Sequence, residues 1–593
     1  MKMTFGKYLP LVAAVTLLAS CGNNKASAAN KKDESANKQM VYKKEVKQKG
    51  KAIKGGELKY ALVSDTPIKG IFNPYLSVVA SDSVVTSFFS EDLFTVDKTK
   101  HFTNDGFAKF DVDEKNKVVT VKFPKDVKWS DGKPMSIDDY IFTHEFIANK
   151  DYPGVRYPAF VGDIEGAEEY HAGKADHISG IEKVDDQTVK LHYKKLTPAI
   201  NIPGGQLVSG CLPKHVYKDI PMSKVMESDA VRKNPVSFGP FKIQSVIPGE
   251  SVTLVANEHY YLGRPNLDKV TVDVVSTKNI VSEMKNGNYD IASMPADSYD
   301  SYKDAKNFTV LTAPELSYNY IAFKFGKWNP EKKVNESNEH SKMNNKNLRQ
   351  AMAYAIDTDK IAKKFYNGTR AQANSLIPPV FDEHDDKVKP YQYNPKKAKQ
   401  LLDEAGYKDK DGDGFREDPK GKKLVINYLT PAGGENDQSI ALALTQWWEK
   451  IGLKVKLVSG RPVEFNSYID KLRGDDPQID VYAGAWALSG DPDPSDIYGR
   501  HAELNVARFT SEENDKLLAD ISSEKAFDQK YRKEALQKWQ EYAAEEAFVV
   551  PTLYRTGITA VNNRIKYFDV NVDSLQDAGS LNNLAFVSKD RVK

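Results

Sequence analysis

A run of alternating acidic residues is the strongest metal-binding pattern in the chain. Asp409, Asp411 and Asp413 fill positions 1, 3 and 5 of a calcium-binding loop, and Gly414 fills position 6. Such a loop ends on a bidentate Glu at position 12, where this chain has Lys420. The pattern therefore predicts either an Asp/Gly-rich turn or a weak, structural calcium site, and we expect no other cofactor or metal.

The sequence lacks the complete residue motifs that hydrolytic enzymes use. His144 and Glu145 begin the zinc-protease pattern H-E-x-x-H, but Ala148 replaces the second His, so zinc would lack a ligand. The sequence has neither a G-x-x-x-x-G-K-[ST] phosphate loop nor a G-x-S-x-G nucleophile motif. We therefore predict a protein without catalytic residues, not an enzyme, and keep a surface hydrolase or chaperone as the least favoured alternative.

Cys21 ends a stretch that is typical of a secretory signal. Lys2 and Lys7 precede an apolar run over residues 9–18, and small residues lead into the Cys. The apolar run is about half as long as a membrane-spanning helix requires. The junction resembles a bacterial lipobox, in which the Cys carries the lipid; an ordinary signal peptide with an incidental Cys is the alternative. We predict a lipoprotein signal peptide over residues 1–21 and a lipid anchor on the extracellular face of the cell membrane.

Charge is distributed unevenly along the chain. Residues 22–54 contain ten Lys against three acidic residues, whereas the remainder from residue 55 onward is mildly acidic. We predict that residues 22–54 form a disordered tether, either a solvated spacer or one that lies on an anionic membrane surface. The acidic body argues against a nucleic-acid partner. Cys211, the only other Cys, is predicted to be a small buried apolar residue.

Strand and helix patterns alternate between residues 423 and 486. We expect strands over 423–430, 453–458 and 479–486 and helices over 439–450 and 463–472, which predicts a parallel α/β sheet with right-handed crossovers. Ligands of such sheets bind beyond the carboxyl ends of the strands. That rule points to Ala485, Trp486 and the loop at residues 487–494.

Elsewhere, alternating patterns predict strands over residues 55–63 and 118–123. Ser136, followed by two acidic residues, is a predicted N-cap for a helix. Residues 348–356 predict a second helix with one apolar face.

Four segments, in order, resemble the extracytoplasmic oligopeptide-binding lipoproteins of peptide ABC importers, solute-binding protein family 5. They are VKWSDGKPMSIDD at 127–139, NPVSFGPFK at 234–242, NLRQAMAYAIDTD at 347–359 and YNPKKAKQLLDEAGY at 393–407. The resemblance extends from about residue 55 to the end of the chain. The length and the lipobox resemble the large lipoproteins of Gram-positive bacteria.

This resemblance implies an α/β fold: a bilobal periplasmic-binding-protein-like clamp with an additional inserted domain, the three-domain peptide-binding type. Domain I would be discontinuous, built from residues 55–89, 213–323 and 555–593. Domain II would span residues 90–212, and domain III, the α/β lobe, would span residues 324–554.

The resemblance also implies a function. The protein would be a monomer that captures oligopeptides in the interlobe cleft by strand-like backbone pairing. It would deliver them to the membrane permease of an ABC importer that is powered by separate ATPase subunits. The same fold binding an oligosaccharide, haem, a metal chelate or a signalling peptide is the alternative.

Residue by residue, the resemblance places three segments at the peptide. The candidate peptide-binding residues are Val78, Val79, Ala80, Ser81, Asp82, Tyr318, Asn319, Tyr320, Ala485, Trp486, Ala487, Leu488, Ser489 and Asp491. Trp486 could instead be a core aromatic, and the same applies to the two tyrosines. Family members hold the peptide termini with an Asp and an Arg at positions that are Ser489 and Ala483 here, which favours longer peptides with free-running ends.

Overall fold

The computed structural model describes residues 42–571 and 580–593. The predicted signal peptide with Cys21, and the tether up to residue 41, lie outside the described residues. The described residues form one compact unit. None of the helices in the described ranges has the length and hydropathy needed to cross a membrane.

The last part of the predicted tether is ordered, so the disorder predicted for residues 42–54 is wrong. Val46 is buried in a short strand that pairs antiparallel with residues 567–569, and Lys43 exchanges hydrogen bonds with Thr312. Burial of Val46 and this pairing outweigh the polar composition. The first elements are β1 (Glu45–Lys47), β2 (Glu57–Val63) and α1 (Ala80–Thr86).

The inserted region forms its own layer around a four-stranded antiparallel sheet, in the order β5-β6-β8-β7. Its elements are β3 (Thr95–Val96), β4 (Phe102–Thr103), β5 (Lys109–Asp113), β6 (Val118–Lys122), α2 (Ile137–Ile147), α3 (Tyr157–Phe160), α4 (Ala167–His171), β7 (Ile181–Lys183), β8 (Thr188–His192), α5 (Lys214–Tyr217) and α6 (Asp229–Arg232). Its hydrophobic core extends to Phe238, past the predicted boundary at residue 212.

The N-cap predicted at Ser136 is confirmed. Ser136 and Asp139 form a capping box, and the Asp139 carboxylate also accepts hydrogen bonds from the Trp129 indole and the Lys214 backbone. One buried carboxylate therefore joins the 127–139 motif to the start of α5. Cys211 is buried, as predicted, and burial raises the pKa of its thiol well above the ordinary value.

The chain then returns to the first lobe through β9 (Phe241–Ile247), β10 (Ser251–Ala256), β11 (Lys269–Val275), α7 (Ile280–Lys285), β12 (Ile291–Ser293) and α8 (Tyr299–Tyr302). Alternating apolar residues of these strands fill the core of the lobe. The buried Asp290 carboxylate accepts hydrogen bonds from Arg564 at 2.6 and 2.7 Å and from the Lys59 backbone at 2.8 Å. This ion pair joins the beginning, middle and end of the chain.

The second half of the chain builds the α/β lobe and returns to the first. Its elements are β13 (Phe308–Phe323), β14 (Gly326–Asn329), β15 (Val334–Ser337), α9 (Lys346–Tyr354), α10 (Thr358–Tyr366), β16 (Ala371–Gln372), α11 (Pro395–Glu404), β17 (Val425–Leu429), α12 (Asp437–Lys450), β18 (Lys454–Leu457), α13 (Phe465–Arg473), β19 (Val481–Ala487), α14 (Ser495–Tyr498), α15 (Glu512–Ile521), α16 (Gln529–Glu546), β20 (Val549–Asn562) and β21 (Tyr567–Asp569). The five elements predicted between residues 423 and 486 are all present, and β17 is parallel to both β18 and β19.

One sheet of eleven strands runs through both lobes, in the order β18-β17-β19-β13-β20-β12-β2-β11-β10-β9, with β16 paired to β20. The long strands β13 and β20 pair along most of their lengths and connect the lobes. Their register shifts between Pro314 and Tyr318, where residues 315–317 bulge opposite Arg555. This bulge lies where the chain passes between the lobes.

Candidate functional site

Within residues 42–571 and 580–593, no strand pairs with the outer half of β19 on the side away from β13, so this edge is free. β17 pairs only with Val481 and Tyr482, whereas β13 pairs with β19 along its whole length. Because the Leu488 N–H donates to the Leu316 carbonyl at 2.7 Å, the alternation of a strand directs the backbone groups of Ala485 and Ala487 away from β13. Both residues are exposed. An extended chain could therefore add to this edge.

A cavity of about 320 Å³ lies beside this edge, within the α/β lobe. Asn319, Tyr320, Ala485 and Trp486 line it, so the structure brings these four predicted residues together. Most of the remaining lining is aliphatic or aromatic, and eight of these apolar residues come from α10, α12 and α13. The polar groups among the lining residues include Arg370, Thr430 and Asp437. The cavity is thus suited to a mainly apolar side chain.

Tyr468 positions the inner end of the edge. Its hydroxyl donates to the Ala483 carbonyl at 2.6 Å, and its ring packs against the exposed Phe465. Gly484 allows the strand to pass close to Tyr320, whose hydroxyl would lie 2.5 Å from any added Cβ. Tyr468 and Phe465 were missed by the sequence analysis; the helix predicted at 463–472 was a signal that could have found them.

The loop after β19 contacts the inserted domain. A methyl group added at Gly490 would lie 3.5 Å from Ile202 and 3.6 Å from Lys100 and Pro203, and Ser489 approaches Gly204 from the same side. Lys117 of the inserted domain and Glu524, between α15 and α16, form a second contact, an ion pair of 3.7 Å. The lobes therefore touch along this loop, with Leu488 partly buried at its base and Ser489 exposed.

Asp491 does not present a free carboxylate to the cleft. It pairs with Arg532 at 2.6 Å, and it also accepts a hydrogen bond from the Asp493 backbone at 2.9 Å. Burial raises the pKa of Asp491, and the Arg532 guanidinium opposes that shift. The Asp491 carboxylate therefore fixes the loop to α16, and its contact with the peptide stays a prediction.

Two further predicted side chains are turned into the core. Asp82 is fully buried and accepts hydrogen bonds from the backbone N–H groups of Lys69, Gly70 and Ile71. Tyr318 is fully buried, and its hydroxyl shares a 2.7 Å hydrogen bond with Tyr498. Both side chains therefore have structural partners, and the placement of their segments at the peptide stays a prediction.

The four residues before Asp82 differ in exposure and in backbone conformation. Val78 is 65% exposed, Val79 is extended and half-buried, and Ala80 and Ser81 begin α1. Val79 therefore retains the extended backbone that strand pairing needs, whereas Ala80 and Ser81 are helical. Neither Val78 nor Val79 lines the cavity beside the β19 edge, so their role in binding stays a prediction.

A lysine side chain of the same chain pairs with the carboxylates of the acidic loop. One oxygen from each of Asp409, Asp411 and Asp413 lies within 4.8 Å of the others, and all three residues are exposed. The Lys423 ammonium contacts Asp411 and lies 2.7 Å from Asp413. Its pKa is raised by these carboxylates. The lysine thus occupies part of the space that a calcium ion would need.

Comparison with known proteins assigns the chain to a family. Residues 102–503 match the model of the bacterial extracellular solute-binding proteins, family 5 (middle region). The chain belongs to this family. It is 35% identical to the oligopeptide-binding protein OppA of Lactococcus lactis subsp. lactis over 571 residues, 94% of each chain. It is 29% identical to the oligopeptide-binding protein AppA of Bacillus subtilis over 91% of each chain.

Solved structures of family 5 proteins confirm the predicted fold class. Lactococcal OppA, complexed with an endogenous peptide in the closed conformation, aligns with a TM-score of 0.77 at 33% identity over 86% of this chain and 97% of that one. AppA of Bacillus subtilis, in complex with a nonapeptide, aligns with a TM-score of 0.68 at 25% identity over 90% of this chain and all of that one. The resemblance found in the four sequence segments is therefore confirmed.

Proposed function

We propose that this family 5 protein captures oligopeptides in the cleft and delivers them to the permease of an ABC importer. The observation that carries the proposal is the free edge of β19 beside a mainly apolar cavity. Main-chain pairing along Ala485 and Ala487 accepts a peptide of any sequence, while the cavity accepts a side chain. The two relatives named above, which match more than 90% of this chain, are both named oligopeptide-binding proteins.

Delivery needs no chemistry on the peptide. We propose that the protein is a monomer and not an enzyme. It would act only by closing its lobes, because a bound ligand favours the closed form. Separate ATPase subunits would supply the energy for import. Cleavage of a bound peptide, detected by mass spectrometry and lost with one point substitution, would contradict this part of the proposal.

Replacing Ala485 with Pro tests the β19 edge. The N–H at this position points away from β13, so Pro removes a donor to the peptide without removing a hydrogen bond of the sheet. A hydrogen bond contributes on the order of 1 kcal/mol, and with some misfit of the ring we expect about a tenfold loss of peptide affinity by calorimetry.

The matched control is Ala485→Val, which adds similar bulk and keeps the N–H. It should bind peptides several-fold better than the Pro variant. Equal affinity of the two variants would reject the backbone pairing. Binding of a sugar or haem, with no heat from any random oligopeptide mixture, would reject peptide capture altogether.

We also propose that Cys21 carries a lipid that anchors the protein to the outer face of the cell membrane, in a Gram-positive bacterium. The apolar segment before Cys21 is too short to span a bilayer, so anchoring would depend on the lipid. Cys21→Ser should move the protein from the membrane fraction to the culture medium, measured by immunoblot. A Cys211→Ser variant, which removes the buried thiol, should stay with the membrane. Retention of the Cys21→Ser protein in the membrane fraction would contradict the lipid anchor.

Capture is proposed to use no cofactor. A calcium ion at Asp409, Asp411 and Asp413 would bind weakly, because it must displace the Lys423 ammonium from two of the three carboxylates. Such an ion would stabilise the turn before β17 and would not contact the peptide.

A further inference from the structure

We infer that the turn between α15 and α16 is a latch that holds the two lobes together without contacting the peptide. This α15–α16 turn is a 3₁₀ segment of the α/β lobe, Glu524–Phe527. The Phe527 side chain packs against the hydrophobic core of the inserted domain, beside the 3₁₀ turn Pro198–Asn201 of that domain. An aromatic side chain of one lobe therefore packs on the core of the other.

An opening lies on each side of this contact. Cavities of about 740 and 460 Å³ separate the inserted domain from the α/β lobe; Glu524 lines the first and Phe527 lines the second. The ion pair between Lys117 and Glu524 crosses the gap at the first cavity. A small interface flanked by open space is typical of domains that separate and rejoin.

The loop after β19 fixes the α15–α16 turn to the end of the proposed peptide edge. Asp491 pairs with Arg532 of α16 at 2.6 Å, and the Ser522 hydroxyl, at the end of α15, donates to Asp493 at 2.7 Å. Two side chains of one loop thus hold the helices on both sides of the turn. Asp491 and Asp493 act as positioning residues, because they fix Phe527 relative to β19.

The latch is separate from the β19 cavity. Among the described residues that line this cavity, none belongs to the α15–α16 turn or to Pro198–Asn201. The free energy of the Phe527 contact therefore favours the closed form to the same extent for every peptide. The latch sets the population of the closed form, while the cavity selects among peptides.

Disulfide cross-linking measures this closure without any peptide. A Cβ added at Gly490 would lie 3.6 Å from the Lys100 Cβ of the inserted domain, a separation that a disulfide spans. The test uses Lys100→Cys/Gly490→Cys in the full chain with Cys21→Ser, because the remaining Cys211 is buried.

We expect this pair to cross-link on oxidation without peptide. Because the bond forms only when the lobes meet, its rate follows the population of the closed form. Adding Phe527→Ser should slow cross-linking about tenfold, equivalent to about 1.4 kcal/mol of lost apolar burial.

A second measurement, with peptides, rests on the proposed function. Phe527→Ser should weaken the binding of several oligopeptides of different sequence by one common factor, about tenfold by calorimetry. Phe527→Leu keeps an apolar side chain and should stay within about threefold of wild type in both measurements. Tyr393→Ser is the matched control and should match wild type, because Tyr393 is a 40% exposed aromatic residue that lines neither interlobe cavity.

A charge swap provides a second variant that leaves the core intact. Glu524→Lys places a positive charge opposite Lys117 on a side chain that is 85% exposed. Cross-linking should slow roughly twofold, since exposed ion pairs contribute little. Lys117→Glu/Glu524→Lys should restore the original rate. Should Phe527→Ser fail to fold by circular dichroism, this swap decides the inference.

The latch and the proposed function can fail separately. If wild-type protein binds no peptide but Phe527→Ser still slows cross-linking, the proposed function fails and the latch stands. If folded Phe527→Ser cross-links at the original rate, Phe527 does not hold the lobes and the latch is overturned. If Phe527→Ser weakens the binding of some peptides and not others, Phe527 contacts the peptide, which also overturns the latch.

Discussion

Gly490→Tyr should hold the lobes apart and weaken peptide binding by about 100-fold. A methyl group at this position would already stand 3.5 to 3.6 Å from Ile202, Lys100 and Pro203 of the inserted domain. A phenol ring extends several ångströms further, so the inserted domain must move away. If the closed form falls to about 1% of the population, the apparent affinity falls by the same factor.

Gly490→Ala is the graded control, because 3.5 Å is an ordinary van der Waals distance and an Ala side chain fits. Small-angle X-ray scattering with saturating peptide should show a larger radius of gyration for the Tyr variant than for the Ala variant. Calorimetry should show near wild-type affinity for Ala. Wild-type affinity and compaction in the Tyr variant would mean that closure does not use this contact.

Asp290→Asn should reduce the free energy of unfolding of the first lobe by about 3–5 kcal/mol. The substitution keeps the shape of the side chain but leaves the Arg564 guanidinium, 5% exposed, without its carboxylate. Breaking a buried pair by removing one charge is strongly destabilising. Urea unfolding followed by circular dichroism should show the loss as a lower midpoint.

Asp186→Asn provides the comparison on the surface. Its carboxylate pairs with Lys183 at 2.9 Å but is 93% exposed, so we expect a change below about 1 kcal/mol. Equal effects of the two substitutions would show that burial does not decide the contribution of the Asp290 pair.

The α/β lobe could be predicted closely because its signals are local. The elements between residues 423 and 486 each have an apolar pattern and a clear boundary, and the observed β17 and α12 differ from prediction by a few residues at their ends. The ordered strand β1 could not be found in this way. Its Lys-rich sequence becomes a strand only because residues more than 500 positions away supply the pairing edge.

The site was only partly predictable for the same reason. The rule for strand ends identified Ala485 and Trp486, because strand direction follows from the order of elements. Whether a side chain faces the cleft or the core depends on partners that are remote in sequence. Tyr318 meets Tyr498, and Asp491 meets Arg532, across distances in sequence that no local pattern encodes.

The position of β20 in the sheet has a consequence for the order in which the protein can fold. This strand is among the last elements to leave the ribosome, yet it lies between β13 and β12 in the middle of the sheet. Until residues 549–562 arrive, β2 and its neighbours on one side cannot join β13 and β19 on the other. A nascent chain ending at residue 548 would therefore hold two separate half-sheets with exposed inner edges, each open to wrong partners until synthesis is complete.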